Sequence, residues 1–165
     1  MRRRILIVGA VLAALLLTVS AGCGGSGGGG GGGSRLSKSQ YEKKVQAEGS
    51  KIKQAFKSTS SAGAGDFDTL AKNVEKGQKE LRAAADRLGD VNPPKEVEKA
   101  HNDLVDAMHG LADALDPFIK ALKSHNVKQI QKTAQDISKS PAVAKAQKAV
   151  NEMKKKGYDL GDLGA

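Results

Sequence analysis

The chain has 165 residues, 39% of them hydrophobic, and sets 27 lysines and arginines against 18 acids for a formal net charge of +9. A single cysteine excludes an internal disulfide, and five aromatic rings without tryptophan are too few for the stacking platform that binds single-stranded nucleic acid. The length suffices for one globular core and not for two.

Arg2, Arg3 and Arg4 precede an apolar run over residues 5–17, and the small residues Ser20, Ala21 and Gly22 lead into Cys23. This is the charge, core and cleavage plan of an export signal. The run is shorter than the roughly 20 apolar residues that a membrane-spanning helix needs. Leu17-Thr18-Val19-Ser20-Ala21-Gly22-Cys23 resembles the bacterial lipobox, with Ser20 where leucine is usual. The resemblance implies that residues 1–22 are removed, that the Cys23 thiol carries a diacylglycerol, and that the mature protein is lipid-anchored on the extracytoplasmic side of a cell membrane. Cleavage takes three arginines and no acid from the chain, which leaves a formal balance of +6. Such a surplus favours anionic partners, either lipid headgroups or an acidic envelope polymer, and another envelope protein is a third choice. Nucleic acid is the weaker partner, because export separates the chain from it.

Residues 24–34 are almost all glycine. With no side chain to bury, residues 23–35 read as a lipidated cysteine and a disordered tether, whose 11 residues after Cys23 hold the domain roughly 18 Å from its anchor. A phosphate-binding loop needs a strand before it, a helix after it and a lysine at a set place, and this run has none of them.

The first helix is predicted over 37–57, opened by a capping box of Ser37 with Gln40 or of Ser39 with Glu42. Tyr41, Val45, Ile52 and Ala55 form its apolar seam, and Glu48 intrudes on it. A run of small residues over 58–65 ends it. Asp66 is placed to cap a second helix with Phe67, Leu70, Val74, Gly77, Leu81, Ala84 and Leu88 on one face, stopped at Gly89. After Pro93 and Pro94 the third helix carries the strongest stripe in the chain: Val97, His101, Leu104, Met108, Leu111, Leu115, Phe118 and Leu122. Pro117 should kink it or make it restart, with Asp116 able to cap the restart. A fourth segment opens at Asn126 with Gln129, is interrupted and restarted at Ser140-Pro141, and closes on Lys154, Lys155 and Lys156, cations suited to a helix C-terminus.

The pattern gives an all-α fold over 36–156, an up-and-down four-helix bundle with its third and fourth helices interrupted at Pro117 and Pro141, followed by a frayed tail over 157–165. Residues 93–105 resemble a segment of small, uncharacterised helical lipoproteins of actinobacteria. That likeness implies the same architecture and no activity.

Three constellations carry chemistry. Glu98 and His101 have the Glu-x-x-His spacing of a carboxylate-bridged metal site, but a second copy on another helix is lacking, and Asp106 with His109 on the same helix cannot replace it. Glu48 and His101 both break an apolar seam near the start of helices that run parallel, so they are expected to meet in one core layer, most simply as a register-fixing buried polar pair. Met108, Met153, His101 and His109 together suggest a haem or copper site, with the two methionines also serving as core fillers. No catalytic residues are expected: the serines lie in linkers and caps, and the one cysteine is the anchor. The sequence therefore leads to a non-catalytic binding or scaffolding bundle at the cell envelope, with no cofactor or metal. Its rival is a carrier that holds a small molecule, haem or metal in a cavity near Glu48, Gly49, Gly77 and His101.

Overall fold

The computed structural model describes residues 34–61 and 65–164. Residues 1–33, with the expected export signal, Cys23 and most of the expected tether, lie outside the described residues. Five helices make the four members of the bundle: α1 (Lys38–Lys57), α2 (Phe67–Gly89), α3 (Glu98–Lys123), α4 (Val127–Ser138) and α5 (Pro141–Lys155). The described residues include no strand.

Helix starts follow local chemistry. Ser37 and Gln40 close a reciprocal capping box, while Asp66, Asn126 and Ser140 each accept a hydrogen bond from the backbone three residues on. Pro141 sits at the first turn of α5, where its missing donor costs nothing, so α4 and α5 form one bundle member broken at Ser140. Pro117 acts otherwise, since α3 runs through it as a bend without a restart. Pro117 lies on the exposed side of the helix, and the buried Leu115, Phe118, Ile119 and Leu122 hold the helix on both sides of it. Asp116 caps nothing, and its carboxylate accepts instead from Gln78 at 2.5 Å and Arg82 at 3.4 Å.

α1 packs on α2, α2 on α3, and α3 on both α4 and α5. The fourth side of the bundle, between α1 and α5, is bridged by the C-terminal turn Gly161–Gly164, which touches both helices. This corrects the expectation of a frayed tail over 157–165. Gly157, at φ +79°, turns the chain back across α1, and the tail then buries Tyr158 and Leu160. The Tyr158 hydroxyl donates to Glu96 at 2.5 Å, and Lys53 pairs with Asp162 at 2.8 Å.

The core has two halves. One gathers Tyr41, Val45, Leu88, Leu104 and Met153 at the end where the chain enters, and the other gathers Val74, Leu115, Phe118, Leu122 and Ile130 at the far end. α1 and α2 approach closely at Gly77, where an added Cβ would lie 2.4 Å from the Phe56 ring. Gly77→Ala is therefore expected to destabilise by about 1 kcal/mol, because the steric displacement of roughly 1–3 kcal/mol exceeds the helix-propensity gain of about 1 kcal/mol. In a Phe56→Leu background the same change should become neutral or favourable in urea unfolding.

Candidate functional site

Four polar side chains, Glu48, Gln78, His101 and Thr133, are buried, and an apolar cavity opens beside the core. His101 is buried and both of its ring nitrogens are engaged. Nε2 lies 3.0 Å from the Leu88 carbonyl, which can only accept, so Nε2 carries the hydrogen and Nδ1 accepts from the Tyr41 hydroxyl at 3.0 Å. The same hydroxyl oxygen is 3.2 Å from the Met153 sulfur. Burial lowers the His101 pKa, more than the Leu88 hydrogen bond raises it, so the ring is held neutral. Burial, helped by neighbouring Tyr158, raises the Tyr41 phenol above its ordinary value.

Glu48 is also buried, at 2% exposure, but it keeps its own company. Its carboxylate accepts from Arg87 Nε at 2.8 Å and from Lys51 at 3.0 Å, and Arg87 reaches on to Glu80. Burial pushes its pKa up, yet the bonds from Arg87 and Lys51 and their charges outweigh this and hold the carboxyl below the ordinary glutamate range. Glu48 and His101 are thus both in the core, as the seam predicts, and they are not joined to each other. His101 stands at the level of Tyr41, seven residues and so roughly 10 Å along α1 from Glu48.

A cavity of about 290 Å³ lies where the two core halves meet, between α1 and the break that separates α4 from α5. Leu104, Met108, Leu111 and Leu115 form its floor, Ile52 and Phe56 one wall, and Ile137, Val143 and Val150 the other. Among the described residues Lys53 and Asp162 are the only ionisable side chains along it. Neither Glu48, Gly77 nor His101 lines this space, and Gly49 does so only at its edge, beside Leu163. Gly77 and Gly49, expected to leave room, receive Phe56 and Leu163 instead. A wider depression of about 460 Å³ on α2, between Lys72, Glu75, Lys76, Lys79 and Glu80, is a solvated furrow bounded by charged stems.

The donor set does not fit haem or a metal at His101, because both imidazole nitrogens are already bonded within the protein. Glu98 pairs with Arg35 at 2.9 Å, Asp106 with Lys145 at 2.8 Å, and His109 faces Asp86 at 3.5 Å on the outside. Met153 and His101 meet at the Tyr41 hydroxyl, which occupies the space between them, while Met108 lines the cavity and His109 faces outward, so the four groups do not form one donor set. Among the described residues no group of three or more His, Cys, Asp or Glu side chains is placed to hold a metal ion. No described helix is long and apolar enough to cross a membrane. The outer face mixes charges of both signs: Arg82 meets Asp113 and Asp116, Lys145 meets Asp103 and Asp106, and Lys132 meets Asp136.

The cavity escaped the sequence because it arises from a helix pair that fails to close, and periodicity reports which face is buried, not how near two faces come. Comparison with family models, curated proteins and solved structures finds no match.

Proposed function

We propose that this is an extracytoplasmic lipoprotein, anchored through a lipid on Cys23, whose non-catalytic bundle binds a small apolar molecule inside its core. The observation that carries the binding role is the 290 Å³ cavity lined by leucine, isoleucine, valine and phenylalanine side chains. Close-packed interiors leave few voids larger than a water molecule, and a space of this size approaches the lower end of small-ligand pockets. The cleft is lined almost wholly by apolar side chains, so an apolar occupant removes that surface from water and gains the contacts that its walls lack. On the outer face Arg82, Lys132 and Lys145 already meet acids, which gives a basic outer face less support as the binding element.

Mass spectrometry of the protein taken from its own membrane tests both parts. The denatured mass should show loss of residues 1–22 and a diacylglycerol on Cys23, and an intact Met1 without lipid overturns the anchor. The native mass should carry an additional small molecule that Ala134→Phe, which fills the cavity from α4, removes while the helical content is kept. An additional mass indifferent to Ala134→Phe, or none even after incubation with decanol, overturns the binding role.

A further inference from the structure

We infer that the cavity takes a medium-chain fatty carboxylate, its carboxylate on Lys53 and its chain laid between α1 and the α4–α5 break, in exchange for the C-terminal Asp162 and Leu163. This rests on the reading of the cavity as an apolar-ligand site and names the ligand's chemistry.

The rim already holds an imitation of such a ligand. Asp162 sets a carboxylate 2.8 Å from Lys53 Nζ. The next residue, Leu163, lines the cavity and packs on Gly49, where a Cβ would stand 2.9 Å from Leu163 Cγ. A carboxylate joined to a short branched apolar group is what the first atoms of a fatty acid would present at this place. Among the described residues Lys53 is the one cation of the lining, so an anionic head has a single place to go there.

The imitation is also detachable. Tyr158 and Leu160 fix the tail by burial, and the joint follows at Gly161, whose φ of +54° belongs to the left-handed region and whose missing side chain lets it lie against Gln46. Beyond that joint, among the described residues, Asp162 and Leu163 reach the cavity. Both members of the Lys53–Asp162 pair keep about a quarter of their side-chain surface in water, at 28% and 23%. Replacing one carboxylate by another there exchanges an ion pair for an ion pair, and the net gain comes from the chain that fills the cavity. At the roughly 30 Å³ that a water molecule occupies, the space holds about ten methylene-sized groups, and the departure of Leu163 adds to it.

The test titrates the full mature lipoprotein, held in phosphatidylcholine nanodiscs, with hexanoate, octanoate, decanoate, tetradecanoate and neutral decanol by calorimetry, with empty nanodiscs as the reference. Affinity should rise about fourfold per methylene up to decanoate and then level off. Decanoate should bind about fivefold more tightly than decanol, as an exposed ion pair allows. Lys53→Gln should bring decanol up to decanoate while leaving decanoate nearly unchanged, because neither probe then has an ion pair to break, and Asp162→Asn should tighten both probes about fivefold, because neither then has to displace a carboxylate from Lys53. Equal binding of decanoate and decanol to the parent, or a decanoate-to-decanol ratio indifferent to Lys53→Gln, overturns the carboxylate and leaves the apolar-ligand reading standing. Affinity that keeps climbing through tetradecanoate places the chain in the bilayer and overturns the inference. Binding of neither probe removes both readings together.

Discussion

His101→Leu is expected to lower the unfolding free energy by about 2 kcal/mol, and adding Tyr41→Phe should return most of that loss. Leucine nearly fills the volume of imidazole, so the cavity contribution is small. The Leu88 carbonyl still accepts from the Val91 amide at 2.9 Å. The fully buried Tyr41 hydroxyl, however, keeps only the Met153 sulfur, a weak acceptor, and orphaning a buried polar group costs about 1–3 kcal/mol. Removing both polar partners eliminates that penalty, and exchange for apolar groups of similar shape is close to neutral. Urea unfolding of the four proteins of this cycle measures the coupling directly. A double variant no more stable than His101→Leu would show that packing, not an orphaned hydroxyl, sets the cost.

The same residue gives stability a pH dependence of definite sign. The folded state lowers the His101 pKa, chiefly by burial, so the unfolded chain takes up a proton more readily. Stability from this site is fully present above the unfolded histidine value of about 6.5, and it is lost as pH falls below that value toward the folded one. In His101→Leu this contribution to the slope should vanish. A slope left unchanged by the substitution would assign the acid sensitivity to other groups.

Much of the architecture is legible in the residues. Tyr41, Val45, Ile52 and Ala55 on α1, and Leu104, Met108, Leu115, Phe118 and Leu122 on α3, are buried as their spacing requires. Caps at Ser37, Asp66, Asn126 and Ser140 follow from side-chain oxygens that satisfy free amides, a local effect that the sequence shows directly. What depends on the distance between elements is not legible. Tyr158, Leu160 and Leu163 look like a tail because three apolar residues among glycines make no periodic signal, yet they close the side of the bundle that α1 and α5 leave open. Gly49 and Gly77 announce a close approach without saying of what, and Leu163 and Phe56 answer for each. Glu48 and His101 are correctly marked as core intruders, but a face says nothing about height along the helix, and each found a different partner.

Arg87→Ala should destabilise the protein by about 2 kcal/mol, with most of the loss recovered by Glu48→Gln in the same chain. Stranding a fully buried charge costs roughly 3–5 kcal/mol. That is an upper bound here, because the Arg87 side chain is 37% exposed, water reaches the pair, and Lys51 remains 3.0 Å from the carboxylate. The pH dependence separates a charge effect from a packing one. Since the folded state holds the Glu48 pKa low, its stabilising share is fully present above the ordinary glutamate range and is lost as pH falls through that range toward the folded value. The difference between parent and Arg87→Ala should therefore be large at neutral pH and shrink in acid, where Glu48 is protonated whether or not Arg87 is present. A difference that stays constant down to acid pH would mean that the arginine stem, packed along α2, matters more than its charge.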